Sequence, residues 1–146
     1  MAGEPTIIAV ADEALLQACI DLRIEVFVDE QEVPLEEEVD VHDRTDAHHL
    51  AMLDGERVIG TARTIVVDGV AKIGRVALAR SARGSGLGAK LMRAAMDRAG
   101  KMGVHEMVLD AQTYAIGFYE KLGFKAEGSE FDDGGIPHRR MRLRVD

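Results

Sequence analysis

The sequence predicts an α+β domain of three layers, with one mixed, mostly antiparallel, twisted sheet flanked by helices. Short β-branched or alternating runs recur along the chain, and two pairs of them are joined by Asp-Gly dipeptides that favour tight hairpins. Two longer segments instead space their apolar residues as one face of a helix. The resulting order is strand–helix, then three strands, then helix–strand–helix and two final strands, which places helices on both sides of a sheet.

Thr6 to Val10 (TIIAV) reads as the first strand, and Asp12 suits the N-cap of a helix whose face carries Leu15, Cys19, Leu22 and Val26. The stretch EQEVPLEEEVDVHDRTDA holds Pro34 and many acids without periodicity, so a loop with at most a short helix is expected. Its acids, Glu36 to Glu38 with Asp40, Asp43 and Asp46, read first as a solvated surface and second as a lip for a cationic molecule. HHLAMLD, RVIGTARTIVV and VAKIGRVAL, divided by Asp54-Gly55 and Asp68-Gly69, form an antiparallel meander. Leu87, Leu91, Ala95, Ala99 and Met102 then line a long helix that Gly103 ends, with Met92, Met96 and Met102 as core filler. EMVLDA is the next strand, and a short helix from about Tyr114 to Leu122 stops at Gly123. FKAEGSEF and HRRMRLRV flank the turn-rich DDGGIP as the closing pair.

With 146 residues, 47% apolar and 30% charged, the chain is sized as one domain over 1–146 that needs neither metal nor disulfide to hold its core. The single cysteine, Cys19, lies in the apolar helix pattern and reads as a core residue in a reducing compartment. No leader-like or membrane-spanning run is seen, so a cytoplasmic location without membrane association is expected. A net charge of -8 and the lack of a basic, aromatic-laced cluster argue against nucleic acid as a partner. Strand edges near the C-terminus leave room for a homodimer.

The segment RVALARSARGSGLGAKLMRAAM places Arg83, Gly84, Gly86 and Gly88 between a strand and the long helix. A nucleotide-binding P-loop needs Gly-Lys-Ser/Thr at the helix start, but Ala89 and Lys90 follow Gly88. A dinucleotide fingerprint needs glycines at positions one, three and six after a βαβ start. Here they fall at one, three and five after a meander, although Asp110 lies where a ribose contact would be sought. Glycines at a helix N-terminus let backbone N–H groups converge on an anion that the helix dipole also favours, and Arg83 adds positive charge. A tight turn with no ligand fits the glycines alone equally well.

Arg83, Gly86 and Gly88 match Arg/Gln-x-x-Gly-x-Gly/Ala, while Gln112, Ala115, Tyr119, Gly123 and Phe124 fall at the spacings of Asn-x-x-Ala-x-x-x-Tyr-x-x-x-Gly-Phe. On these two motifs and the strand order the chain resembles the GCN5-related N-acetyltransferase (GNAT) family, and EVFVDEQEVP with GIPHRRM resembles its ElaA-like subgroup. The resemblance implies the GNAT acyl-CoA N-acyltransferase fold and acetyl-CoA as co-substrate, its pyrophosphate held by Arg83, Gly84, Ser85, Gly86, Leu87, Gly88 and Ala89. It puts Val76, Ala77 and Leu78 beside the pantetheine arm, with backbone contacts from Val76 and Leu78, and Gln112 on the cofactor where the family has Asn.

Tyr119 is the candidate general acid, since a phenol is protonated at neutral pH and can serve a departing thiolate; without the family spacing it reads as a packed helix tyrosine, as Tyr114 does. The implied reaction is direct acetyl transfer to a primary amine of a small molecule or peptide, with no metal. The alternative is a non-catalytic acyl-CoA-binding sensor or interaction module. Candidates to touch the acceptor are Glu30, Arg75, His49 and His138, and Glu37 and Asp40 join Glu30, His49 and His138 as possible proton acceptors.

Overall fold

Seven strands hydrogen-bond into one sheet in the order β1-β2-β3-β4-β5-β7-β6. They are β1 (Thr6–Ala9), β2 (His48–Asp54), β3 (Arg57–Val67), β4 (Val70–Leu78), β5 (Glu106–Gln112), β6 (Lys125–Asp133) and β7 (Ile136–Arg144). The computed structural model describes residues 4–145. Every neighbouring pair is antiparallel except β4 with β5, which is the mixed sheet anticipated from the strand order. Asp68 and Gly69 adopt φ of 52° and 76°, the left-handed pair a two-residue hairpin turn requires between β3 and β4.

Helix α1 (Glu13–Arg23) begins as expected, with the Asp12 carboxylate accepting from the Leu15 N–H at 2.7 Å. It does not stop where the apolar pattern fades but widens into a π-helical turn, Ile24–Glu30. A left-handed Glu32 (φ 61°) then closes it, as the Glu32 and Val33 N–H groups donate to Val28 O and Phe27 O at 3.0 and 2.8 Å. Helices α2 (Leu35–Glu38), α3 (Leu87–Lys101) and α4 (Ile116–Glu120) complete the set.

Successive residues of β3 show how the layers stack. Thr61 faces Cys19 of α1, whereas a Cβ on Gly60 would lie 3.4 Å from Leu91 of α3 and 2.9 Å from Leu78, so α1 and α3 occupy opposite faces. Glycine is needed at 60 for close approach. Gly60→Val is expected to destabilise the protein by about 2 kcal/mol through overpacking, read as a lower midpoint in urea unfolding. Leu91, Met92, Ala95 and Ala99 bury the inner face of α3, and Cys19 is fully buried, as their spacing predicts.

Two departures from regularity in β4 open the middle of the sheet. Its parallel pairing with β5 covers only Val70, Ala71 and Lys72 opposite Glu106, Met107 and Val108. Beyond that point the strands splay, leaving the β5-facing backbone edge of Ile73 to Leu78 unpaired. On the other edge the register with β3 slips between Thr61 and Arg63, and Arg75 takes a left-handed φ of 49° in the bulge. Such a conformation costs a bulky side chain roughly 1–2 kcal/mol, so its neighbours must hold it there.

The acidic stretch corrects in part the expectation of a solvated loop. Glu38 and Asp43 are 3% and 2% exposed, and Arg23 of α1 is fully buried between them. Arg23 Nε donates to Glu38 Oε2 at 2.8 Å, and Nη1 to Asp43 Oδ1 at 2.7 Å. Arg63 joins Asp40 and Asp43 at 2.7 and 3.1 Å. Glu38 and Asp43, with Asp40, thus belong to an ion network, while Glu36, Glu37 and Asp46 are exposed as a solvated stretch should be.

Candidate active site

The splay between β4 and β5 opens a cleft of about 620 Å³. Its walls come from two groups of elements. One is the glycine loop, the first turn of α3 and the segment leading through α4, contributing Arg83, Gly88, Tyr114, Phe118 and Tyr119. The other is the π turn of α1, the acidic segment and the β6–β7 hairpin, contributing Phe27, Gln31, Glu37, Asp133 and His138. Val76, Ala77 and Leu78 run between them, together with Arg75 and Gln112.

At the first wall, Gly84 and Gly86 both have φ of 81°, and nothing lies within 4 Å of where their Cβ atoms would be. Gly86 is the N-cap of α3, with no side chain capping the helix, and the first intrahelical bond is from Lys90 N–H back to Gly86 O at 3.3 Å. The N–H groups of Leu87, Gly88 and Ala89 are therefore left for an anion, where the helix dipole also favours negative charge. Ser85 and Arg83 shape the loop: Ser85 Oγ donates to Ala82 O at 3.1 Å, and Arg83 Nε and Nη2 donate to Leu78 O at 3.1 and 2.9 Å. Arg83 also meets Glu30 at 2.8 Å.

Glu30 is not among the residues that line the cleft. It ends the π turn against the glycine loop, where the guanidinium of Arg83 holds it. His49 is likewise removed from the cleft: it is 5% exposed, lies opposite Arg63 in the β2–β3 register, and donates Nε2–H to Asp43 O at 3.0 Å. Its Nδ1 is buried without a hydrogen-bond partner among the described residues, and burial pushes its pKa down, so the ring is held neutral as part of the ion network. Opening a strand left its burial undetermined, because the groups packed around it, Asp43 O, Arg23 and Arg63, come from other elements.

Tyr119 lines the cleft, half-buried, with its ring edge-on to Phe118 and Phe124 at centroid distances of 5.0 and 6.4 Å. Burial, with a smaller contribution from Tyr114, pushes its phenol up to about 12. Tyr114 differs from the packed residue expected of it: it is 80% exposed at the cleft mouth. Arg75 both lines the cleft and binds the acids, donating to Glu38 O and Glu37 O at 3.1 Å each and meeting Glu38 Oε2 at 3.1 Å. Burial is the main cause that pulls its pKa down, yet the carboxylates around it keep the charge compensated.

Gln112 ends β5 opposite His138 of β7, and its Nε2 donates to Gln31 Oε1 at 2.8 Å. His138 Nδ1–H donates to Ile136 O at 2.7 Å and its ring stacks on Phe131, so in the neutral ring the lone pair is on Nε2. Gln31 and Phe27 were not singled out from the sequence, since a residue just past an amphipathic helix gives no periodic signal. Asp110, the ribose candidate of the dinucleotide pattern, is instead engaged by Arg140 at 2.5 Å and Lys72 at 3.3 Å.

Comparison with known proteins agrees with this fold. Residues 11–145 match the model of the acetyltransferase (GNAT) domain. The uncharacterized N-acetyltransferase YjcF of Bacillus subtilis is 39% identical over 131 residues, covering 89% of this chain and 93% of its own. The crystal structure of an acyl-CoA N-acyltransferase from Pseudomonas aeruginosa superposes with a TM-score of 0.86 at 33% identity, over 97% of this chain and 100% of that one. Escherichia coli ElaA superposes with a TM-score of 0.87 at 26% identity, over 94% and 98%.

Proposed function

The chain belongs to the GNAT acetyltransferase family, and from that premise we propose that it moves an acetyl group from acetyl-CoA directly to a primary amine of a small molecule or peptide. The observation that carries this reading is the conjunction of an uncapped α3 N-terminus with a strand whose free backbone edge faces the splay. Leu87, Gly88 and Ala89 N–H groups hold the pyrophosphate, with Gly84 and Gly86 leaving room for it and Arg83 and Ser85 keeping the loop in shape. The unpaired edge from Val76 to Leu78 pairs with the pantetheine arm, so that one end of the co-substrate is anchored and the other aligned.

Acetyl-CoA supplies a thioester carbonyl carbon. The amine nitrogen bonds to that carbon as its bond to sulfur breaks, one N–H proton passes to His138 Nε2, and the thiolate takes a proton from Tyr119, which water later restores. A phenol near 12 stays protonated throughout the physiological range and lies above the ~8.5 of an ordinary thiol. Being the weaker acid of the two, it serves the sulfur chiefly as a hydrogen-bond donor, and transfer of its proton is completed only as water reprotonates the phenolate. Cys19 has no part: it is fully buried in α1, away from the cleft, and burial pushes its thiol up, away from the reactive thiolate.

Two measurements test this proposal. Free thiol released from acetyl-CoA is followed with a panel of primary amines; turnover above the amine-free rate is expected, whereas a sensor would bind acetyl-CoA and leave it intact. Tyr119→Phe keeps the packing against Phe118 and Phe124 and is expected to lower kcat about 100-fold with little change in acetyl-CoA affinity. An unchanged kcat would remove Tyr119 from the mechanism.

A further inference from the structure

Resting on the acetyl-transfer reading, we infer that Gln112 serves the acceptor amine rather than the co-substrate, and that Gln31 is the positioning residue that orients it. Alternation along β5 separates two faces. Met107, Leu109 and Ala111 are buried in the core that includes Met141, Phe124 and Tyr119. Asp110 and Gln112 turn the other way, and Asp110 marks that face by meeting Lys72 and Arg140. Gln112 thus leaves the sheet on the side of the π turn and the β6–β7 hairpin, away from Tyr119 and α4.

The amide orientation follows from its partner. Gln112 uses Nε2–H to reach Gln31 Oε1, which leaves its own Oε1 without a hydrogen-bond partner among the described residues. An asparagine here, one methylene shorter, would not span the same gap. Gln31 is in turn fixed by its backbone, because it sits between the π turn and the left-handed Glu32 that closes it. Directly opposite Gln112 in the β5–β7 register stands His138, 9% exposed and lining the cleft, with Nδ1–H committed to Ile136 O and no hydrogen bond to Nε2 among the described residues. Cβ atoms of such opposed residues lie about 5 Å apart on one face.

Two lone-pair atoms carried by paired residues that both line the cleft, Gln112 Oε1 and His138 Nε2, then serve the acceptor. A primary amine has an N–H for each: His138 Nε2 takes one proton as the C–N bond forms, and Gln112 Oε1 holds the other hydrogen so that the nitrogen lone pair points at the carbonyl carbon. An alcohol of the same shape has one hydrogen and leaves one of these acceptors unmatched, which selects nitrogen over oxygen nucleophiles.

The test compares wild type, Gln31→Leu, Gln31→Glu and Gln112→Ala on the amine that wild type acetylates fastest, with its alcohol counterpart alongside. Gln31→Leu removes the oxygen that orients Gln112 and is expected to raise the amine KM on the order of tenfold, with a smaller change in kcat. Gln31→Glu keeps that oxygen and is expected to retain most of the wild-type efficiency. Calorimetric titration with acetyl-CoA should give the same dissociation constant, within about twofold, for wild type, Gln31→Leu and Gln112→Ala. Weakened acetyl-CoA binding in Gln112→Ala, or a wild-type amine KM in Gln31→Leu, would overturn the inference while leaving acetyl transfer intact. Absence of transfer by wild type to every amine would instead overturn the reading on which it rests.

Discussion

Gly86→Glu is expected to lose acetyl-CoA affinity by about 100-fold or more while remaining folded. Gly86 caps α3 with φ of 81°, a conformation that costs an L-residue roughly 1–2 kcal/mol. Its Cβ direction opens into space where no protein atom lies within 4 Å, so the new side chain meets no protein wall. It would instead bring a carboxylate to the donors meant for the pyrophosphate. Like charges about 4 Å apart near a protein surface repel by roughly 4 kcal/mol, and even half of that, added to a loosened cap, accounts for the loss. Gly88→Ala is the control: its Cβ would sit at ordinary contact distances, 3.5 Å from Leu78 and 3.6 Å from Phe118, so the fold accommodates it. Thermal melts of both variants within a few degrees of wild type, with affinity lost only in the charged one, would separate ligand binding from stability.

Arg23→Met should be the most destabilising single change, by about 3–5 kcal/mol, because it strands Glu38 and Asp43 as buried carboxylates. Both are nearly inaccessible, and Arg23 supplies each with a hydrogen bond of 2.8 Å or less. Burial alone would raise the Asp43 carboxyl, but the hydrogen bond from Arg23, the Asp40 N–H and Arg63 outweigh it and hold Asp43 well below the usual carboxylate range. A depressed carboxylate stabilises the fold above its unfolded pKa of about 4 and loses that contribution as pH falls toward its folded value. His49 has the same sign: its folded pKa is lowered by burial, so stability declines as pH falls below the ordinary histidine range. Wild type should therefore lose stability steadily on the acid side, first from His49 and then from Asp43. Arg23→Met should flatten the Asp43 part of that profile. Urea midpoints measured across pH check both. Because Glu38 also receives Arg75 of the bulged β4, the variant should disturb the acceptor wall and raise the amine KM even where it is folded.

How much of this was legible in the sequence depended on whether the cause was local. The Asp68-Gly69 hairpin, the Asp12 cap and the apolar stripe of α3 each arise from residues a few positions apart and are found where local pattern puts them, whereas the first hairpin turns one residue later, at Gly55–Glu56, with Asp54 paired to Arg57. The glycine loop was equally readable, since positive φ and an uncapped helix start need particular residues at particular spacings. The ion network was not. Arg23, Glu38, Asp43 and Arg63 come from separate elements, and an arginine on an amphipathic helix reads as solvent-exposed until the fold brings two carboxylates over it. The same applies to Gln31, whose place is set by a π turn that interrupts the helical period, to His49, whose partner Asp43 O belongs to another element, and to Glu30, whose partner Arg83 lies far along the chain. In the cleft, residue types pointed to the glycine-loop wall, whereas the opposite wall arises from β5 alternation and a hairpin beside it.

The most direct test of the central claim, that backbone amides at the α3 N-terminus grip a pyrophosphate beside the splayed strands, is calorimetric titration of the folded protein with acetyl-CoA. One site per chain is expected, with affinity in the micromolar range and largely lost in Gly86→Glu. No measurable heat at millimolar acetyl-CoA, or equal affinity in wild type and Gly86→Glu, would contradict it.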